Sequence, residues 1–128
     1  MTRYVIDAYA WVEYLDGSRS GEKVKAILQG ENEIYTCAVT VAEVASKACR
    51  REMDVNTALE AISTLSKIIE VDFNLAKASG ISHAKMREKI MDFGLADSFV
   101  LESAKRIEGK IVTGDEHFRD TEGVVFVE

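Results

Sequence analysis

No proline occurs among the 128 residues, so every break between elements must be made by glycine, asparagine or aspartate. Cysteine is scarce too. Cys37 and Cys49 are the only two, and their spacing matches no zinc or redox motif, which leaves them as buried free thiols. No uncharged apolar run approaches the ~20 residues that span a bilayer, so no membrane association is expected. Met1 to Tyr9 combines one positive charge with Asp7, which does not make a secretory signal, and a cytoplasmic location is the default expectation. A G-x-G-x-x-G turn is missing, which argues against a dinucleotide-binding domain. No Ser-His-Asp or Cys-His arrangement offers a covalent nucleophile. Internal repeats and low-complexity tracts are absent as well.

What is present suits an ordinary globular chain. With 47% hydrophobic and 30% charged residues, intrinsic disorder is not expected. The length fits one domain over residues 1–128 with a core that needs no disulfide. The net charge of −6 argues, taken alone, against a nucleic-acid partner. Acids gathered around divalent cations would answer that objection, because the ions cancel their charge. The bases are also grouped: Lys47, Arg50 and Arg51 in one place, Lys85, Arg87 and Lys89 in another. Each group reads either as a solvated helix face or as a phosphate-binding patch.

Hydrophobic periodicity alternates between strand and helix. Strands are expected at Tyr4 to Ile6, Glu33 to Cys37, Ile68 to Val71, Lys110 to Val112 and Val124 to Val127. Between them, helices are expected at Ala8 to Leu15, Glu22 to Leu28, Thr40 to Arg51, Asn56 to Ser66, Asn74 to Arg87 and Leu95 to Ile107. This alternation predicts an α/β domain with a mostly parallel sheet.

That topology gives the acids a common address. Ligands of an open parallel sheet bind beyond the carboxyl ends of its strands. Asp7 follows the first strand and Asp115 the fourth. A helix that leads into a parallel strand begins at the same edge, which brings in Glu43 and Asp97 near the starts of their helices. Each acid also has a structural reading. Thr40 and Glu43 have the spacing of a capping box, Asp97 suits a helix first turn, and Asp7 and Asp115 suit N-caps. As a set, four converging carboxylates repel one another unless cations fill the site, and oxygen ligands favour magnesium or manganese over zinc. Two such ions can activate water and stabilise the leaving oxygen of a phosphodiester. On this argument Asp97→Asn is expected to raise the melting temperature of metal-free protein.

Four segments resemble those of PIN domains and occur in the same order: Tyr4-Val5-Ile6-Asp7-Ala8, Thr40-Val41-Ala42-Glu43, Gly94-Leu95-Ala96-Asp97-Ser98 and Val112-Thr113-Gly114-Asp115-Glu116-His117-Phe118. Single-domain VapC toxins of toxin–antitoxin pairs are similar in kind. The resemblance implies a three-layer α/β/α fold with a five-stranded parallel sheet. It further implies a magnesium- or manganese-dependent endoribonuclease acting on single-stranded or structured RNA, a homodimer, and inhibition by a small antitoxin protein. Asp7, Glu43, Asp97 and Asp115 would be the acidic metal-site residues, with Thr113 as the hydroxyl that supports them. Two positions depart from the pattern: Tyr9 stands where many members have Ser or Thr, and His117 where many have an acid. His117 reads as a group touching phosphate or metal-bound water, or as an exposed turn residue. His83 reads as structural, and Asp92 and Asp120 as loop residues.

Two rivals frame the reading. A non-catalytic PIN-like module binding RNA or protein would share the fold, with Trp11, Tyr14 and Leu15 either as a partner patch or as core. A phosphoacceptor receiver domain would want paired acids after the first strand, where Asp7 stands without an acidic neighbour.

Overall fold

A computed structural model describes residues 1–128. Five strands form one sheet: β1 (Arg3–Ile6), β2 (Glu33–Cys37), β3 (Lys67–Ile69), β4 (Lys110–Thr113) and β5 (Val124–Phe126). Their order is β3-β2-β1-β4-β5, and every neighbouring pair is parallel. The helices are α1 (Ala8–Asp16), α2 (Arg19–Gln29), α3 (Ala38–Arg50), α4 (Val55–Leu65), α5 (Phe73–Met86) and α6 (Leu95–Ile107).

Side chains alternate across a strand, and this one rule builds both layers. Ile6, Ile34 and Val112 face a core with Trp11, Val24, Val44, Ala58 and Ile62 from α1 to α4. Val5, Ile69 and Ile111 face a second core with Leu75, Val100 and Ala104 from α5 and α6, completed by Phe93 and Phe118. The result is the expected three-layer α/β/α sandwich. Trp11 is core: it is fully buried and its Nε1 donates to Thr36 Oγ1 at 3.1 Å, while Tyr14 and Leu15 pack against the same cluster. His83 is structural, its Nε2 lying 3.0 Å from the Phe93 carbonyl.

Local chemistry sets the ends. Gly17 closes α1 at φ +66°, a conformation that glycine adopts without strain, and Ser18 caps α2 by accepting from the Gly21 N–H at 3.0 Å. That cap starts α2 at Arg19, ahead of the Glu22 expected from periodicity.

The strand order reverses at β1. The chain winds outward through β2 and β3, then returns to place β4 on the other side of β1. The crevice between the carboxyl ends of β1 and β4 is the switch point of the sheet, where ligands of open α/β folds bind.

Candidate active site

Asp7 is the first residue beyond β1 and precedes α1 directly. Its N–H continues the ladder to the Val112 carbonyl at 3.0 Å, which holds its side chain against β4. The carboxylate makes no capping hydrogen bond to α1. It accepts instead from Thr113 Oγ1 at 2.8 Å, and Thr113 Oγ1 in turn accepts from the Asp115 N–H at 3.0 Å. One buried hydroxyl thus couples the acids after β1 and β4. Asp115 Oδ1 accepts from the His117 N–H at 2.9 Å, capping the short 3-10 turn Glu116–Phe118.

Asp97 lies in the first turn of α6, where its Oδ2 accepts from the Gly94 N–H at 2.8 Å. The same Oδ2 lies 2.9 Å from His117 Nδ1. Glu43 is one turn further into its helix than the capping-box reading places it. α3 begins at Ala38 straight after β2, with Cys37 at the cap and no side-chain hydrogen bond there. Thr40 is fully buried and its Oγ1 has no partner, so it does not cap. Freed from capping, Glu43 lines a groove of about 490 Å³ with Tyr9, Lys47, Arg50 and Asp115.

The four acids share one electrostatic field. Burial pushes Asp7 up to about 6 against the Thr113 hydrogen bond, and the charges of Asp97 and Asp115 add to the rise. Burial also raises Glu43 to about 7, helped by Asp7, Asp97 and Asp115 and opposed by Lys47. Carboxyls raised in this way hold excess negative charge only at a cost, which a cation would remove.

The His117 ring is held rather than free. Nδ1 is 2.9 Å from Asp97 Oδ2 and 3.5 Å from Asp115 Oδ1, while Nε2 is 3.2 Å from Asp92 Oδ2. One donor atom each from Asp97, Asp115 and His117 lies within 4.8 Å of the others. Asp92 therefore belongs to the site's surroundings, although its side chain is 82% exposed and its local sequence reads as loop. A second cavity of about 670 Å³, lined by Lys89, Asp92, Asp115, His117 and Asp120 among others, continues the crevice beyond Asp115. The donors are oxygens and an imidazole nitrogen, a set that fits a hard or borderline divalent cation, and neither Cys37, which is buried, nor Cys49, which is exposed near the end of α3 rather than buried, lines the groove.

Both basic groups divide. Lys47 and Arg50 face the groove, whereas Arg51 pairs with Asp16 at 2.9 Å. Of the second group, Lys89 lines the larger cavity, while Lys85 lies toward the outer face between α5 and α6.

A family model described as PIN domain matches residues 4–124. No curated protein matches the chain in sequence. Among solved structures the chain is similar to VapC20 of Mycobacterium tuberculosis, a sarcin–ricin loop cleaving toxin, at TM-score 0.76 and 13% identity over 98% of this chain and 99% of that one. It is similar to VapBC2 from Rickettsia felis bound to a fragment of its promoter DNA, at TM-score 0.73 and 14% identity over 98% and 97% of the two chains. A toxin–antitoxin complex from Klebsiella pneumoniae gives TM-score 0.72 and 20% identity over 95% of each chain. At these identities the likeness is one of fold.

Proposed function

Because the chain belongs to the PIN domain family, we propose that it is a magnesium- or manganese-dependent endoribonuclease, the toxin of a toxin–antitoxin pair, cutting single-stranded RNA. The observation that carries this is the gathering of Asp7, Glu43, Asp97 and Asp115 at the switch point, where burial, with neighbouring acids adding to it, raises Asp7 to about 6 and Glu43 to about 7. Asp7, Asp97 and Asp115 would hold the principal ion, and Glu43 would assist them or hold a second. A bound divalent ion supplies Lewis-acid activation of water and charge neutralisation at phosphate.

The chain's own groups do the rest. Thr113 keeps the Asp7 carboxylate ionisable and aimed into the crevice. Lys47 and Arg50, on the wall that Glu43 shares, neutralise backbone phosphates on one side of the scissile bond. Lys89 does so from the other cavity. Tyr9, 38% exposed on the groove wall, offers a ring face to an unstacked base. Hydrolysis by water, with no covalent enzyme intermediate, leaves a 5′-phosphate. A small antitoxin protein would hold the enzyme silent in the cytoplasm, and the active form would be a homodimer.

The test is cleavage of a mixed single-stranded RNA pool by antitoxin-free protein, with manganese or with EDTA, beside Asp7→Asn and Asp97→Asn. Cutting that requires the metal and both aspartates is the expected result. Manganese binding without cleavage, together with retention of RNA on the groove, would favour the binding-module reading over the enzyme.

A further inference from the structure

His117 and Asp92 have no place in the carboxylate scheme, yet together they form a unit that metal sites use. We propose that His117 is a nitrogen ligand of the divalent ion, oriented by Asp92, and that it biases the site toward manganese and the later transition ions over magnesium. The inference rests on the acidic-site reading above and adds to it a ligand and a metal preference.

Three features of the geometry carry it. First, the ring faces the right way. Nδ1 points at the Asp97 and Asp115 carboxylates, at 2.9 Å and 3.5 Å, while Nε2 points outward to Asp92 at 3.2 Å. Octahedral ions with ligands at ~2.1 Å place adjacent donors ~3 Å apart; the Nδ1–Asp97 separation of 2.9 Å matches that spacing, and Nδ1–Asp115 at 3.5 Å is somewhat wider. Second, metal-binding histidines hand their other ring N–H to a carboxylate, which fixes the tautomer and raises ligand basicity. Asp92 stands where that carboxylate belongs. Third, the position is fixed by backbone. The His117 N–H donates to Asp115 Oδ1 at 2.9 Å, the neighbouring Phe118 is fully buried, and the Phe93 ring lies 6.1 Å from the imidazole. The ring is presented together with Asp115 on a single turn.

The chemical consequence follows from donor type. Magnesium prefers an all-oxygen shell and gives up its waters reluctantly. Imidazole favours borderline ions, whose affinities rise along the series from manganese to copper. One nitrogen among three or four carboxylates therefore moves preference away from magnesium without making a zinc site.

Pulsed electron paramagnetic resonance of manganese bound to the full chain reads the ligand directly. A nitrogen-14 modulation from a coordinated imidazole is expected in the wild-type protein and in His83→Gln, and is lost in His117→Asp. With only two histidines in the chain, the assignment has one alternative, which the His83 variant removes. By competitive titration, His117→Asp should narrow the manganese-over-magnesium preference by about tenfold, and Asp92→Asn should weaken manganese binding by about tenfold or more. Manganese bound with oxygen ligands alone overturns the role of His117 and leaves the acidic site standing. No manganese bound at all overturns both. If His117→Asp fails to fold, His117→Gln takes its place, and the wild-type spectrum still decides.

Discussion

Thr113 donates its hydroxyl hydrogen to Asp7 across 2.8 Å at a point where both side chains are buried. The bond does not merely orient the carboxylate. Burial drives Asp7 upward, and this donor is the largest influence holding it down. Thr113→Val keeps the shape and removes the donor, and it also deprives the Asp115 N–H of its acceptor. Losing a hydrogen bond to a charged group costs about 2 kcal/mol, and one to a neutral group about 1 kcal/mol. Urea unfolding in EDTA should therefore show the larger loss at pH 8 and the smaller at pH 5. Equal losses would mean that Asp7 has the same charge at both.

Metal-free protein should lose stability as pH rises from about 4 to 7. Asp7 and Glu43 are raised to about 6 and about 7 in the folded protein, above their usual 3.8 and 4.5. The unfolded chain ionises first, so the advantage of the folded state is complete below the unfolded values and disappears through the folded ones. Asp7 alone accounts for about 3 kcal/mol over that interval. Asp72, held near 2 by Arg106, acts in the opposite sense, and only below its usual 3.8. Melting temperatures in EDTA should fall between pH 5 and pH 8. With manganese they should fall less or rise, since the ion binds the ionised site. An identical pH slope with and without metal would sink the link between these carboxyls and a cation.

Relief of repulsion belongs to Glu43 rather than Asp97. From the sequence, Asp97→Asn promises a more stable metal-free protein. In the fold, Asp97 Oδ2 accepts from the Gly94 N–H and lies 2.9 Å from His117 Nδ1, two contacts that a carboxylate makes more strongly than an amide. Asp97→Asn should lower the metal-free melting temperature by a few degrees. Glu43→Gln should raise it at pH 8 by a few degrees, which corresponds to on the order of 1 kcal/mol of stability. Thermal scans of both variants in EDTA separate the two, and a rise for Asp97→Asn would restore the original expectation.

The contrast between these acids shows what local sequence encodes. The start of α6 is written in Gly94 and Asp97, whose spacing allows the cap that forms. The start of α3 looks just as clear in Thr40 and Glu43, yet β2 runs into the helix without a loop. Burial of Thr40 outweighs its capping preference. The four acids could be brought to one edge because strand direction and alternation fix which end each occupies. Asp92 and His117 could not be paired that way. They lie 25 residues apart on two turns, and the packing of Phe93 against Phe118 helps bring those turns together.

Gly114 tests how tightly the site is framed. It stands between Thr113 and Asp115, and a Cβ there would overlap both the Tyr9 ring edge and the Val127 carbonyl. The second obstacle is backbone, anchored by the Val127 N–H donating to the Thr113 carbonyl at 2.8 Å. Gly114→Ala should cost about 2 kcal/mol, as overpacking does, and should weaken manganese binding by moving Asp115 away from Asp7. Tyr9→Ser replaces the ring with a small hydroxyl. By itself it should leave manganese affinity near the parent value, because Tyr9 offers no carboxylate or imidazole. Combined with Gly114→Ala it should recover part of the loss, since the ring yields and the carbonyl does not. Denaturant unfolding of the parent, both single variants and the double variant measures that coupling. Full recovery would show that the aromatic ring alone sets the width of the crevice, and no recovery would show that the β5 tail does.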